Sequence, residues 1–188
     1  MSRIVGMDSS YNLMFIGIVV GEWKAIKTCW YSITKELGLN EIHMFRLSMS
    51  LKRKVLKLLY AGSEDLELLC VKVNYSRLKN IARSISPRMP RQKTRKIINM
   101  IVRDEIFRII QKYCESPKII ADNELREIAN TNICEPREPI ELADIVAWFN
   151  LRASNIPRET KIKLKKTIIE FDIENKLIAI LKKKILNE

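Results

Sequence analysis

The sequence predicts an α/β protein with a mixed five-stranded sheet in the order β-β-β-α-β-α-β-α and an extra C-terminal helix. Three apolar, β-branched runs near the start are joined by short connections, which is typical of an antiparallel meander. Helix-spaced and strand-like segments then alternate, which is typical of parallel strands joined by helical crossovers. The apolar fraction of 47% in 188 residues suffices for a buried core.

The meander is expected from three runs, Ile4 to Met7, Leu13 to Val20 and Trp23 to Ile33. Turn-forming residues from Ser9 to Asn12 separate the first two. Gly21-Glu22 fits a two-residue hairpin turn before the third. In that third run lysines interrupt the apolar residues, as they do in a partly exposed strand.

The later elements are expected from helix caps, prolines and apolar spacing. They are a helix from Ser48 to Gly62, a strand at 66–74, a helix or loop at 76–85, a helix at 92–113, a strand at 118–121, a helix from Pro139 to Ala153 and a mostly helical, Lys-rich segment at 158–186. We therefore expect a main domain at 1–156 and a basic helical extension at 157–188 packed on the same domain.

Composition excludes several classes of protein. The four cysteines are scattered without a CxxC pair and there is one His, so a zinc site is not expected. The cysteines are expected to be reduced core residues. The apolar run at 13–20 is too short to span a bilayer, and the start does not resemble a signal peptide. We expect a cytoplasmic protein with no membrane partner.

The net charge of +12 points to a phosphate-rich partner. Ten Lys or Arg and no acid lie between Lys72 and Arg103. Within that stretch the expected nucleic-acid-binding strip is Arg83, Arg88, Arg91, Lys93, Arg95 and Lys96. The alternative for the strip is a solvated loop that enters a basic helix. The alternative for the net charge is that it serves solubility alone.

Three acids stand out by position. Asp8 ends the first predicted strand, Asp122 ends the last one, and Asp144 lies in a helix that is apolar nearly all round. A buried carboxylate costs several kcal/mol unless a cation, a basic partner or solvent offsets the cost. Taken alone, Asp8 is better explained as a turn former. Asp122 also fits the start of a turn or a helix cap, and a salt bridge or an exposed helix edge is the alternative for Asp144.

Together the acids indicate a metal site. Clustered carboxylates repel one another and are stabilised by a divalent cation. Mg²⁺ or Mn²⁺ prefers such oxygen ligands, and two such ions support phosphodiester cleavage. A basic surface beside the acids would hold nucleic acid.

The order of elements, with an acid on the first strand and another on a late helix, resembles the ribonuclease H-like (retroviral integrase-like) fold. The resemblance extends to about Arg152, and Asp8 and Asp144 match its two acids. The chain is more similar to an uncharacterised prokaryotic branch of that superfamily, with an Asp-Glu-Ser-Gly-type start and a Gln-Leu-Ala-Asp-type late helix. The matching segments here are Gly6 to Ser10, Glu141 to Ile145, Glu41 to His43 and Ile119 to Asp122.

The chain departs from that pattern at three positions. Ser9 replaces the second acid of the start, and Glu141 replaces the glutamine of the late helix. The predicted fourth strand ends on Asn74 where ribonucleases H have an Asp. The resemblance therefore implies that Asp122 or Glu41 completes the site, or that the site is degenerate.

The sequence-based hypothesis is Mg²⁺- or Mn²⁺-dependent hydrolysis of nucleic acid by a nuclease or resolvase-like enzyme. Asp8, Asp122 and Asp144 would hold the metal, Glu41 would be the reserve ligand, and His43 would orient water or assist proton transfer. A surface role for Glu41 and a structural role for His43 are the alternatives. The rival functions are an inactive nucleic-acid-binding protein and a protein-interaction module. DNA and RNA are both open as partners, and junction resolution would require a homodimer.

Overall fold

The computed structural model describes residues 3–10, 13–152, 154 and 156–187. Five strands form one sheet, and eight α-helices cover it within this described part. The strands are β1 Ile4–Ser9, β2 Phe15–Gly21, β3 Glu67–Lys72, β4 Lys118–Ala121 and β5 Ile168–Asp172. The helices are α1 Trp23–Leu37, α2 Met49–Gly62, α3 Tyr75–Ile85, α4 Arg91–Ile110, α5 Arg126–Ala129, α6 Glu138–Arg152, α7 Arg158–Thr167 and α8 Glu174–Leu186.

The sheet is mixed, as the sequence predicts, with the strand order β4-β1-β2-β3-β5. Strands β1, β2 and β3 pair antiparallel, while β4 lies parallel to β1 and β5 parallel to β3. The predicted class, α/β with a mixed five-stranded sheet, is therefore correct, although one of the five strands differs from the prediction.

Helices cover both faces of the sheet. Apolar residues of β1 and β2 that point to one face pack with α1, α2, α6 and α7. Those that point to the other face pack with α3, α4, α5 and α8. The alternation of side chains along each strand thus feeds two apolar cores, one on either side of the sheet.

The predicted third strand, Trp23 to Ile33, is wrong, because this segment is helix α1. Its buried residues Ile26, Cys29 and Ile33 recur at helical spacing and contact α2 and α6, so the lysines lie on the solvent side of a helix. Gly21-Glu22 is likewise no hairpin turn: Gly21 ends β2, and Glu22 is the extended residue before the helix. The third antiparallel strand is the next predicted one, β3.

The C-terminal segment contains a strand that the sequence did not predict. Residues Ile168–Asp172 form β5 at the sheet edge, and α8 then packs Leu177 and Leu181 into the core shared with α3 and α4. An exposed edge strand has few buried side chains, so its apolar pattern is weak. The predicted single C-terminal helix is therefore corrected to a helix, a strand and a second helix.

The remaining elements agree with prediction to within a few residues. Helix α2 begins after Ser48, whose Oγ accepts the Leu51 N–H at 3.3 Å, and the helix includes Gly62. The segment predicted as helix or loop at 76–85 is helix α3. Two predicted features, the end of the turn at Asn12 and the helix end at Ala153, lie outside the residues that the structure describes.

The cysteines are unpaired. Three of the four, Cys29, Cys70 and Cys114, are buried as expected, whereas Cys134 is only half-buried and its Sγ accepts a bond from the Arg126 guanidinium at 3.2 Å. Cys134 is therefore not a core residue. No helix in the described ranges combines the length and apolar character needed to cross a bilayer.

Candidate active site

A cavity of about 760 Å³ opens where β1 and β4 end. All five residues that the sequence singled out for catalysis or metal binding line it: Asp8, Glu41, His43, Asp122 and Asp144. They come from β1, from the loop between α1 and α2, from the turn after β4 and from α6. Separate parts of the chain therefore supply one acidic wall.

Asp8 and Asp122 are brought together by parallel pairing. Strands β1 and β4 are parallel neighbours, and the Asp122 N–H extends their ladder by donating to the Met7 carbonyl at 3.1 Å. The two aspartates thus lie side by side at the carboxyl ends of β1 and β4. The Asp8 carboxylate accepts the N–H of Ser9 at 2.6 Å.

Two glycines let α6 reach Asp8. Gly17 is the cross-strand partner of Asp8, and a Cβ at this position would lie 2.1 Å from the Ala143 carbonyl oxygen. At Gly6 a Cβ would lie 2.2 Å from the Pro139 carbonyl oxygen. Because neither glycine has a side chain, α6 packs directly on the β1–β2 backbone, which brings Asp144 beside Asp8.

Helix α6 holds the loop between α1 and α2 through two acids one turn apart. The Glu141 carboxylate accepts the Ile42 N–H at 2.8 Å and the Trp30 Nε1–H at 2.6 Å. Asp144 Oδ2 accepts the Met44 N–H at 2.8 Å and lies 3.3 Å from His43 Nδ1. These bonds fix the loop that carries Glu41 and His43 against the helix that carries Asp144.

Burial and mutual repulsion raise the pKa values of the central acids. Burial of Asp8, followed by the charge of Asp144 and smaller effects of Asp122 and Glu124, raises the pKa of Asp8 from 3.8 to about 8. Burial also raises the pKa of Asp144, although the Met44 N–H and His43 oppose the rise. The site thus resists full ionisation by itself.

Local structural roles, such as capping and ion pairing, apply to some of the acids and not to others. Asp122 does cap the short 3₁₀ helix Asn123–Leu125, its Oδ2 accepting the Glu124 N–H at 3.4 Å. Exposed Glu41 pairs with Arg46 at 3.1 Å. No Lys or Arg in the described ranges forms a salt bridge with Asp144; the side chain beside it is His43, whose Nδ1 lies 3.3 Å from Asp144 Oδ2. The Met44 N–H and His43 therefore offset only part of the cost of burying Asp144, and its pKa stays raised.

Several cavity residues were not singled out from the sequence. Glu124 adds a further acid and accepts a bond from Ser9 Oγ at 3.4 Å. Arg46, Lys79 and Arg137 add cations, and Phe45 adds an exposed aromatic ring. The position of Glu124 two residues after Asp122 is a usable sequence signal, but the cations come from three distant segments that only folding joins.

The predicted nucleic-acid-binding strip lies beside the cavity and does not line it. Its six residues are all exposed, at the end of α3, in the following loop and in the first turns of α4. Lys79, which does line the cavity, precedes Arg83 by one helical turn on α3. Arg95 is paired with Glu127 at 3.2 Å. The strip thus extends from one rim of the cavity.

Asn74 does not take part in the acidic wall. Its side-chain oxygen caps α3 by accepting the Arg77 N–H, and its amide donates to Glu174 at 3.2 Å. It stands outside the residues that line the cavity. The departure noted at this position therefore removes no carboxylate from this cavity.

The donor set suits a hard divalent cation, but the side chains do not form a ready cage. Acids surround Asp8, and the described part of the chain offers it no Lys or Arg ion pair. Oxygen donors of this kind are those that Mg²⁺ and Mn²⁺ prefer. Within residues 3–10, 13–152, 154 and 156–187, however, no three Asp, Glu, His or Cys side chains are arranged to hold a metal ion.

Comparison of the chain with family models, with curated proteins and with solved structures gives no match. The cavity, its charges and the fold that builds it are therefore the basis for assigning a function.

Proposed function

We propose that this protein is a ribonuclease H-like nuclease or resolvase-like enzyme that hydrolyses phosphodiester bonds of nucleic acid with Mg²⁺ or Mn²⁺. The observation that carries the proposal is the meeting of Asp8, Asp122 and Asp144, from three separate elements, in one solvent-reachable cavity. The cations at the cavity rim and the net charge of +12 favour a polyanionic substrate.

The ribonuclease H-like assignment is supported by where the acids stand. One acid ends a strand that pairs antiparallel with the next, a second follows its parallel neighbour, and a third lies on a late helix. The insertion of α1 and α2 between β2 and β3 departs from the consecutive meander that the sequence predicts.

In the proposed mechanism, Asp8, Asp122 and Asp144 would hold the cation, with Glu41 and Glu124 at the edge of the site. When bound, the cation would activate water and stabilise the charge that develops on the leaving oxygen. Asp8, whose pKa is raised chiefly by burial and then by neighbouring acids, would bind the cation in its ionised form. Arg46, Lys79 and Arg137 would hold the substrate phosphates.

His43 has a proton-handling role in this proposal. Its Nδ1 faces Asp144 Oδ2 at 3.3 Å, which favours the tautomer with hydrogen on Nδ1. The half-exposed ring then presents Nε2 as an acceptor toward solvent. From there His43 would take a proton from a water molecule in the cavity, with Asp144 orienting the ring.

The proposal is tested by calorimetric titration with Mn²⁺ and by cleavage assays on single-stranded, duplex and branched DNA and RNA. The parent protein should bind Mn²⁺ and cleave at least one substrate. Asp8→Asn and Asp144→Asn should each lose Mn²⁺ binding and cleavage. Exposed Asp65, outside the cavity, provides the control Asp65→Asn, which should keep both. Cleavage that persists in Asp8→Asn would contradict the proposed site.

An inactive nucleic-acid-binding protein is the second candidate. The absence of a ready three-ligand cage within the described residues favours it. It predicts salt-dependent binding of nucleic acid without cleavage and without Mn²⁺ binding. A protein that binds no nucleic acid at low salt would instead be an interaction module. A resolvase-like activity would additionally require a homodimer, which light scattering would detect.

A further inference from the structure

One feature of the cavity is unexplained by metal or phosphate chemistry. Phe45 is 60% exposed, although its neighbour Met44 is completely buried. The short 3₁₀ helix Met44–Arg46 carries it to the rim of the acidic cavity. A single exposed apolar residue is ordinary on a protein surface. At the mouth of a charged cavity, however, an exposed ring can contact a bound ligand that has a flat apolar face.

Phe45 is presented by a firmly held segment. The Met44 N–H is bonded to Asp144, and the Ile42 N–H is bonded to Glu141, so α6 fixes the backbone just before Phe45. Buried Ile42 and Met44 anchor the same stretch in the core. A ring held in this way loses little conformational freedom when it contacts a ligand.

The surroundings of Phe45 match one class of ligand. Arg46, Lys79 and Arg137 line the same cavity and are exposed, which suits phosphate groups. The Arg46–Glu41 pair is itself exposed, so it competes weakly with a phosphate. An aromatic face beside several cations is the combination that binds single-stranded nucleic acid, through base stacking and backbone contacts.

We propose that the cavity binds an unpaired nucleotide of single-stranded DNA or RNA, with its base stacked on Phe45 and its flanking phosphates on Arg46, Lys79 and Arg137. The inference rests on the proposed nucleic-acid function and narrows its substrate class. In a continuous duplex the faces of each base are covered by neighbouring bases, so only an unpaired base offers a face to Phe45.

The test measures fluorescence anisotropy of a labelled oligonucleotide of about 12 nucleotides, single-stranded or annealed to its complement. EDTA is present, so that binding is measured without cleavage. The parent protein should bind the single strand more tightly than the duplex. Phe45→Ala should weaken single-strand binding about tenfold, the size of one lost stacking contact, and leave duplex binding unchanged. Phe45→Trp should restore the preference.

Tyr31 provides a matched control, because its ring is 58% exposed on α1 and lies outside the cavity. Tyr31→Ala should bind both forms as the parent does. Equal affinity of parent and Phe45→Ala for the single strand, or an equal loss on both forms, would overturn the stacking proposal. Failure to bind any nucleic acid would overturn the proposed function as well, whereas binding without Mn²⁺-dependent cleavage would overturn only the hydrolytic part.

Discussion

At the scale of single residues, Asp8 lies in a position that is electrostatically unfavourable for its charged form. Its carboxyl is buried against three other acids, so the folded protein keeps it protonated up to a pKa of about 8. The sequence places this aspartate at a strand end, but it does not reveal the burial that changes its chemistry. The resulting strain is the kind that a bound cation would relieve.

This electrostatic strain predicts a pH dependence of stability. Between pH 3.8 and about 8 the unfolded chain has released the Asp8 proton and the folded chain retains it. The free energy of unfolding should therefore fall as pH rises through this range, by on the order of a few kcal/mol. Asp8→Asn should flatten the fall and raise the thermal midpoint at pH 8 in EDTA, measured by circular dichroism.

Asp65→Asn is the control for this pH experiment, because exposed Asp65 lies outside the cavity. It should follow the parent curve. Identical pH dependence of the parent and Asp8→Asn between pH 4 and pH 8 would contradict a raised pKa of Asp8 in the folded state.

Glu141 leads to a second prediction at the residue scale. One of its oxygens accepts both the Trp30 and the Ile42 N–H, and an amide oxygen has the two lone pairs needed to do the same. Glu141→Gln should therefore keep the loop in place. Glu141→Ala leaves two N–H groups without a partner and should lower the free energy of unfolding by about 2–4 kcal/mol in urea titrations.

The two Glu141 variants also separate packing from charge. If Glu141→Gln were as unstable as Glu141→Ala, the negative charge itself would hold the loop. Equal stability of all three proteins would show that the loop is held by other contacts.

At the scale of elements, the site exists because α6 lies directly on the β1–β2 hairpin. This contact requires glycine at two positions, one of which is opposite Asp8 in the sheet. The sequence contains only 5 glycines, and nothing in it distinguishes these two from the turn-forming ones before the sheet register is known. The sequence therefore supports the proximity of Asp144 and Asp8 only through their positions in the predicted elements.

Gly17→Ala tests this contact. The new methyl group would lie 2.1 Å from the Ala143 carbonyl oxygen, so α6 must move away from the sheet. We expect a loss of about 1–3 kcal/mol in the free energy of unfolding and weaker Mn²⁺ binding, measured by urea titration and calorimetry. Gly62→Ala in α2 is the control, since its methyl group would lie 3.3 Å from Cys29 Sγ and alanine favours a helix.

An α6 helix that tolerates Gly17→Ala without loss of stability would contradict the packing described for the hairpin. A stable Gly17→Ala protein with unchanged Mn²⁺ binding would further show that glycine at position 17 is not required to place Asp144.

At the scale of the whole molecule, local signals predicted most elements and long-range contacts decided the errors. The cap at Ser48, Pro90 before α4 and Pro139 in the first turn of α6 predicted the helix starts well. The segment Trp23 to Ile33 was misassigned because β-branched and aromatic residues gave strand propensity, whereas its helical form is selected by packing on α2 and α6. The edge strand β5 has too little buried surface to be visible in the sequence.

The candidate site was predicted in part for the same reason. Acids at strand ends and on an apolar helix are visible in one dimension, and Asp8, Asp122 and Asp144 do line one cavity. Other features of the site depend on tertiary contacts between distant segments, which no local sequence pattern predicts. They are the loop bonds to Glu141, the cations that line the cavity and Phe45.

The basic surface yields a prediction for the whole molecule. The strip beginning at Arg83 is exposed beside the cavity, so it should contact phosphates and make binding salt-dependent. Replacing Arg88 and Arg91 with Gln should lower the slope of log affinity against log salt by about 1–2. Lys182 and Lys183 on α8 are exposed and of equal charge, and their replacement with Gln should leave the slope nearly unchanged. Equal slopes for both variants would remove the strip from the binding surface.

The edge position of β5 has a consequence for how the chain is made. Until residues 168–172 leave the ribosome, the outer edge of β3 has no partner and presents free N–H and C=O groups to other nascent chains. The apolar face that α8 covers also remains open during that interval. Synthesis that stalls before β5 should therefore leave an aggregation-prone intermediate, and a chaperone that shields this edge would raise the yield of native protein.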